Sequence, residues 1–278
     1  MLVVGEQCSN YKIADYRPNP SHQLTPSAMK KLLALLVLAS ANPVSANLLI
    51  SDDFPTNGTL NGQTPAVGGT WTTTSGAANQ IQVVNNKVVL TDANSEDIQS
   101  AFAAVSAGSV YFGFDLSVAD PRTYTGTDFE YFSLFNDTSR GDYFTARADV
   151  AAFSASGYRP GIATIVTTAE TVWGSDLAYN TDYRMVVGYS FTTGFATMWI
   201  NPTDVSSSSI TSTASVIATN IDGFSLRQST ATPDQALTIG RLRVATDFAA
   251  VVPEPSTYAM LALAGAGFAG YVIRRRRR

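Results

Sequence analysis

Two residue types are almost missing from this chain. Its 278 residues include one cysteine, Cys8, and one histidine, His22, and both precede Met29. Because Met29 begins a segment with the features of a secretory signal, we expect the exported product to contain neither residue type. This absence excludes disulfides, Cys–His and Ser–His–Asp nucleophilic sites, and zinc, haem or iron–sulfur sites built on imidazole or thiolate ligands.

Lysine and glutamate are also scarce in the central part of the chain. Between Asn47 and Val252 the basic residues are Lys87 and eight arginines, whereas the acidic residues are sixteen aspartates and three glutamates. Nine basic against nineteen acidic residues give a net charge of −10, compared with −4 for the whole chain. Such an acidic domain repels phosphate backbones, so no nucleic-acid partner is expected.

The segment 29–46 has the three parts of a signal peptide. Met29–Lys31 is basic, Leu32–Ala39 is apolar, and Val44–Ala46 offers small residues to signal peptidase, with cleavage expected between Ala46 and Asn47. The apolar part is too short to span a bilayer, which takes about 20 helical residues. Residues 1–28 are polar and without a helical period, and we interpret them as a disordered extension or the result of a misassigned start codon.

The C-terminal part contains a second apolar segment, flanked by charge on one side. Seventeen uncharged residues, 257–273, follow Val252–Ser256 and precede five arginines, Arg274, Arg275, Arg276, Arg277 and Arg278. A helix of this length measures about 25 Å, which predicts one short transmembrane helix. The arginines are expected to stay on the cytoplasmic side, so the central domain faces outward.

Pro253, Glu254 and Pro255, the apolar segment and the arginine cluster follow one another in a fixed order. This arrangement closely resembles the PEP-CTERM sorting signal of Gram-negative bacteria that make exopolysaccharide, and it spans residues 251–278. The resemblance implies export, transient anchoring, and processing by an exosortase at the membrane. The product would then lie at the envelope surface or in the extracellular matrix, with exopolysaccharide and biofilm. A plain single-span anchor is the alternative.

Residues 47–250 have the pattern of an all-β domain. Apolar residues alternate with others along Val110–Val118, and Asn85-Asn86 joins two strand-like runs as a hairpin turn would. Further strand-like runs are 131–135, 143–148, 161–166, 183–189, 196–201, 221–227 and 237–244. No stretch of ten residues has helical spacing and no repeat of 20 to 50 residues is present. We predict an antiparallel two-sheet β-sandwich.

Several short motifs in this region resemble those of a concanavalin A-like (LamG-type) jelly roll. The motifs are Asp52-Asp53-Phe54, Leu60–Gln63, Gly69-Thr70-Trp71, Tyr183–Tyr189, Met198–Pro202 and Leu242–Thr246. Relatives often carry an aspartate where Gly240-Arg241 stands here. A calcium site that used this aspartate would lack that ligand here. We expect no cofactor, with calcium as the alternative and its ligands unknown.

The central domain lacks the carboxylate pattern of a glycosidase. Retaining glycosidases need two carboxylates about 5 to 5.5 Å apart. Asp128 and Glu130 form the best candidate pair, but we interpret them as solvent-facing residues at the start of a strand. Ser133 has no histidine to activate it. We predict a protein that is not an enzyme.

Carbohydrate binding is the alternative function. Aromatic side chains stack on sugar rings, and loop carboxylates or calcium give directional contacts. The candidate platforms are Trp71, Trp173 and Trp199, of which Trp173, before Gly174-Ser175, is expected to be the most exposed. Loop acids near strand ends are Asp120, Asp137 and Asp142. The primary prediction remains an exported, non-catalytic protein.

Overall fold

The computed structural model describes residues 48–120, 129–137, 143–228 and 236–252, without the side chains of residues 129, 130, 143 and 144. The predicted extension 1–28, signal peptide 29–46 and transmembrane helix 257–273 lie outside the described residues. The described elements are β1 (Leu48–Asp52), β2 (Gly58–Thr59), β3 (Thr72–Ser75), β4 (Gln82–Val84), β5 (Lys87–Thr91), β6 (Asp97–Val105), β7 (Ser109–Val118), β8 (Phe129–Asp137), β9 (Tyr143–Ser154), β10 (Gly157–Ala163), β11 (Thr171–Val172), β12 (Tyr183–Ser190), β13 (Ala196–Ile200), β14 (Ser209–Thr211), β15 (Ile221–Arg227), β16 (Ala236–Ala245) and the helical turn α1 (Phe248–Val251).

The strands form two antiparallel sheets. The nine-stranded sheet has the order β14-β13-β12-β7-β16-β5-β4-β2, with β1 also paired to β16, and the seven-stranded sheet has the order β11-β10-β9-β8-β15-β6-β3. Neighbouring strands are often distant in the sequence, because the chain crosses repeatedly from one sheet to the other. The predicted all-β, two-sheet antiparallel sandwich is confirmed.

Aromatic side chains join the inner faces of the two sheets. The Phe112 ring of β7 lies 4.9 Å from the Phe135 ring of β8 and 5.0 Å from the Phe224 ring of β15. Along β7 the inward side chains Phe112 and Phe114 are fully buried in this core. The alternation that predicted the strand therefore has its usual cause, since one face of the strand packs against the opposite sheet.

The predicted hairpin at Asn85-Asn86 is confirmed. The two asparagines connect β4 to β5 and have φ values of 51° and 61°, the left-handed conformation that a two-residue hairpin turn requires. Asn85 also donates its backbone N–H to Oδ1 of Asn57 at 3.0 Å. Asparagine tolerates this backbone conformation better than most other residues do.

Some strands differ from the prediction. β10 begins at Gly157 instead of Gly161, with a register shift between Arg159 and Pro160, the kind of irregularity that accommodates a proline in a strand. β6 was not predicted, because Ala101, Ala103 and Ala104 weaken its apolar alternation. Within the described ranges, no helix is long and apolar enough to cross a membrane.

Candidate functional site

The predicted sorting and processing residues lie outside the described part of the chain. They are Pro253, Glu254, Pro255, the five arginines Arg274–Arg278, and the signal cleavage pair Ala46 and Asn47. Asp128 and Asp142 also lie outside it, as does the side chain of Glu130. The roles of these residues stay predictions. The described residues nearest to the sorting motif are 248–252.

The last described residues fold back onto the outer face of the nine-stranded sheet. Phe248, Val251 and Val252 are buried there, and we call the five residues Phe248–Val252 the docking segment. Asp247 begins its helical turn by accepting a hydrogen bond at Oδ1 from the Ala249 N–H at 3.1 Å, which satisfies a backbone donor that the turn leaves free.

Aromatic rings from two strands receive the docking segment. The Phe248 ring lies 4.9 Å from the Trp199 ring of β13 and 5.5 Å from the Tyr111 ring of β7, both in edge-to-face geometry. Val186 and Ala245 complete this second apolar cluster. Burying a side chain such as Phe248 or Val251 contributes about 1.5–3 kcal/mol, so the docking segment is an integral part of the fold.

Arg184 ties the docking segment to the sheet by hydrogen bonds. Its Nε donates to the Val251 carbonyl oxygen at 3.0 Å, and its Nη2 donates to the same oxygen. Its Nη1 donates to the Arg241 carbonyl oxygen at 2.8 Å. Burial lowers the pKa of Arg184 to about 10, although Asp115 counteracts this shift, so the guanidinium remains charged at neutral pH.

The carboxylate of Asp115 lies between two arginines. Arg184 Nη1 is 3.5 Å from Asp115 Oδ1, and Arg241 Nε donates to Asp115 Oδ2. The position of Arg241 depends on an irregularity in β16, where the pairing with β7 shifts register between Gly240 and Arg243 and Arg241 has a φ of 48°. This bulge turns the Arg241 side chain toward Asp115 and its carbonyl toward Arg184.

Gly113 provides the space in which Val251 lies. A Cβ atom at this position would stand 2.7 Å from the Val251 carbonyl oxygen and 3.1 Å from Arg184 Nη2. A side chain here would push the carbonyl away from its donors. The glycine in the middle of β7 is therefore explained by the close approach of the docking segment.

Three of the motifs behind the jelly-roll resemblance meet in one structural cluster. The buried carboxylate of Asp52 accepts hydrogen bonds from Trp71 Nε1 at 2.8 Å and from the Phe54 N–H at 2.7 Å. Burial raises the pKa of Asp52 despite these two donors. Asp53 pairs with Arg243 at 2.8 Å. These residues from three distant motifs meet where β1 pairs with β16.

Two of the three glutamates in the central domain organise loops. Glu96 is fully buried and accepts hydrogen bonds from the backbone N–H groups of Asn79, Gln80 and Ile81 at 2.6–3.0 Å. Glu170 accepts from the N–H groups of Thr164 and Ala214 at 3.0 and 2.6 Å. Because several backbone N–H groups donate to each carboxylate, we interpret both glutamates as residues that stabilise the loops around them.

The three tryptophans differ in burial. Trp71 is fully buried, and Trp199 is 5% exposed beneath Phe248, so both pack within the domain. Trp173 is partly buried against the core, and its backbone N–H donates to the Pro160 carbonyl at 2.8 Å. Of the three, Trp173 keeps the largest exposed fraction, and its predicted role in sugar contact stays a prediction.

The loop acids do not form a metal centre in the described residues, where no group of three or more Asp, Glu, His or Cys side chains could hold an ion. Asp120 is exposed after β7, whereas Asp137 and Ser133 are buried in β8. A cavity of about 50 Å³ lies beside Tyr131, Asp97 and Arg227. It has room for one or two water molecules, far below the roughly 300 Å³ of a small-ligand site.

Sequence reasoning missed Arg184, Gly113 and Phe248. The arginine and the glycine stand at outward positions of strands, where such residues usually face solvent. Only the apolar Phe248–Val252, placed directly before the proline pair, signals that the chain stays on the domain beyond β16.

Comparison with solved structures finds distant similarity to lectins and to a toxin domain. A seed lectin from Lotus tetragonolobus is 11% identical with a TM-score of 0.44, covering 68% of this chain and 97% of the lectin. Lectin II from Ulex europaeus is 11% identical with a TM-score of 0.43, covering 69% and 98%. The binding domain of botulinum neurotoxin serotype D is 9% identical with a TM-score of 0.49, covering 72% and 48%.

Comparison with curated proteins finds no significant match. A family model described as the PEP-CTERM protein-sorting motif matches residues 251–278. Its first two residues, Val251 and Val252, are therefore the buried end of the docking segment. The chain carries a PEP-CTERM sorting motif, which indicates an exported protein that is anchored transiently and processed by an exosortase.

Proposed function

We propose that this chain is a non-catalytic protein of the cell envelope or the extracellular matrix, delivered there by its sorting motif and associated with exopolysaccharide. The observation that carries the proposal is the direct junction between the motif and a folded, acidic β-sandwich. The exported domain has no Cys or His, and Glu96 and Glu170 are engaged by backbone donors. These features support a display or matrix role.

The proposed route depends on three parts of the sequence. Signal peptidase removes residues 29–46, the apolar segment 257–273 holds the chain in the inner membrane, and the five terminal arginines stay on the cytoplasmic side. Pro253 and Pro255 disfavour helix at and before their positions, which suits a segment that an enzyme must bind. Exosortase cleavage then moves the domain to the surface or the matrix.

Replacing Pro253-Glu254-Pro255 by three alanines tests this route in the producing organism. We expect the variant to remain full-length in the inner-membrane fraction, whereas the unchanged protein is shortened and appears in the surface or matrix fraction. Immunoblots of the fractions measure the difference. A matched control changes the adjacent Ser256 and Thr257 to alanine and should be processed normally. Unchanged processing of the first variant would contradict the proposal.

Carbohydrate binding is the second candidate, because Trp173, although partly buried against the core, is the most exposed of the three tryptophans. An exposed aromatic face can stack on a sugar ring, and calcium can add contacts to hydroxyl groups. A glycan array probed with and without calcium tests this function. Binding that Trp173→Ala abolishes and Trp199→Ala preserves would support it, whereas no binding in either condition would argue against it.

A further inference from the structure

The first strand of the domain and the docking segment meet in one apolar cluster. Leu48, where β1 begins, packs against the second apolar cluster, to which Phe248, Val251 and Val252 belong. Leu48 also lies opposite Ala245 in the pairing of β1 with β16, and Ala245 is a member of the same cluster. The two ends of the domain are thus in contact, although about 200 residues separate them in the sequence.

An irregularity in β1 directs neighbouring side chains to different clusters. The pairing with β16 shifts register between Leu48 and Ile50. Leu48 packs against the second apolar cluster, whereas Leu49 packs against the inner core and Ile50 is fully buried in it. Such a shift changes the direction of the side chains beside it. Of these three residues, Leu48 is therefore the one that links β1 to the docking segment.

The strand β1 has little else to hold its first residues. It pairs with β16 along one edge, and on the other edge Ser51 exchanges backbone hydrogen bonds with Val67 at 2.9 and 3.3 Å. Segments with few hydrogen bonds and few buried contacts open at a low free energy. The apolar contact of Leu48 is thus a substantial part of what keeps the beginning of β1 on the sheet.

Loss of the docking segment would uncover the surface on which Leu48 packs. Val186 is fully buried and Trp199 is 5% exposed beneath the Phe248 ring. Two nitrogens of Arg184 would also lose their acceptor, the Val251 carbonyl oxygen. Exposed apolar surface and a cation without its acceptor are both costly. Opening of the docking segment therefore weakens the sheet at the point where β1 begins.

We propose that the docking segment closes the exported domain by holding its first strand, β1, in place. The device forms only in a chain that is intact from Leu48 to Val252, because its two halves come from the two ends of the domain. Residues 248–252 are the last of the domain in the sequence, so closure of β1 follows their arrival. The inference is independent of the proposed function, since it concerns the closure of the sandwich whatever the domain binds.

Hydrogen exchange of the full chain, purified in detergent, tests this closure. Phe248→Ala should speed amide exchange at residues 48–52 at least about threefold, while exchange at residues 221–227 in the other sheet changes less than about 1.5-fold. The matched control is Phe191→Ala, because Phe191 is 7% exposed, close to the 8% of Phe248, but packs on Tyr189 in the inner core. Unchanged exchange at residues 48–52, or an equal increase in both sheets, would overturn the inference.

The reverse change gives a second test that leaves the docking segment itself intact. Leu48→Ala should speed exchange at residues 248–252 at least about twofold, because a coupling between two sites acts in both directions. Leu49→Ala is the control, since this neighbouring leucine packs against the inner core, and it should leave exchange at residues 248–252 nearly unchanged. Equal effects of the two leucine changes on those residues would show that the docking segment and β1 do not hold each other.

Discussion

Arginine side chains pack on the outer faces of both sheets, but the two faces hold them differently. On the nine-stranded sheet, Arg184 donates to the backbone carbonyls of Val251 and Arg241. On the seven-stranded sheet, the guanidinium carbons of Arg147 and Arg227 lie 4.3 and 4.6 Å from the centre of the Tyr131 ring. One arrangement fixes a chain segment, and the other covers an aromatic side chain.

The two kinds of contact differ in how strictly they fix the position of the partner atoms. A hydrogen bond from a guanidinium requires its acceptor at a defined place, so Arg184 determines where the chain runs after β16. A guanidinium over a ring is attracted by the face as a whole and fixes no backbone atom. Arg227 also donates a hydrogen bond to the Tyr131 hydroxyl, but that acceptor is a side-chain atom. Substitutions should therefore affect the chain end strongly at the first site and only the local packing at the second.

Removing the charge of Arg184 is the strongest test of this difference. Arg184→Met keeps an apolar chain but leaves two buried carbonyls without charged donors, so we expect unfolding to become easier by about 3–5 kcal/mol. Urea denaturation of the purified protein measures the change. Arg159→Met is the control, because Arg159 is exposed and pairs with the Asp176 carboxylate, and it should cost less than about 1 kcal/mol. Equal losses would contradict the special role of Arg184.

Filling the space beneath Val251 tests the same site without changing a charge. The Cβ of Gly113→Ala would lie 2.7 Å from the Val251 carbonyl oxygen, whereas that of Gly240→Ala has its nearest neighbour at 3.5 Å. We expect a loss of about 1–3 kcal/mol for the first and a change within about 0.5 kcal/mol for the second. Hydrogen exchange should also become faster at residues 248–252 in Gly113→Ala alone. Unchanged exchange there would show that the glycine serves another purpose.

The sandwich was predictable from the sequence because its signals are local. The alternation in β7 indicates a strand with one buried face. Asn85-Asn86 indicates a two-residue hairpin turn, whose backbone both asparagines adopt. β6 was missed because alanines carry little apolar contrast between its two faces. Its place between β3 and β15 is decided by pairing with distant strands, which no local pattern encodes.

The docking site was not predictable, because it depends on residues far apart in the sequence. Gly113, Arg184 and Val251 come from β7, β12 and α1, and neither the glycine nor the arginine has a sequence pattern that indicates the contact. Arg184 lies on the outward face of β12 and is buried only because the docking segment covers it. By contrast, the sorting motif was readable because its three parts are contiguous and in order.

Changing Tyr131 tests the second face. Tyr131→Leu removes the ring that both guanidinium groups approach, and we expect a loss of about 1–2 kcal/mol, smaller than for Arg184→Met. Tyr131→Phe keeps the ring and removes the hydroxyl that accepts from Arg227, so it should cost about 1 kcal/mol or less. Urea denaturation again measures both. If the phenylalanine variant lost as much as the leucine variant, the hydroxyl would outweigh the ring.

Substituting the exposed Arg159 is expected to have the smallest effect, and it serves as a reference for the sites of Arg184 and Tyr131. At the surface, Asp176 accepts hydrogen bonds from Ser156, Arg159 and Ser154, and these lower its pKa to about 2, with Ser156 contributing most. The folded-state pKa is depressed, so the charged carboxylate favours the fold above pH 4, and this contribution disappears between about pH 4 and pH 2. NMR titration of the Asp176 carboxyl carbon should show the low pKa, and Ser156→Ala should raise it more than Arg159→Met does. If the arginine change had the larger effect, the ion pair would dominate even at the surface, and the contrast between exposed and buried arginines would narrow.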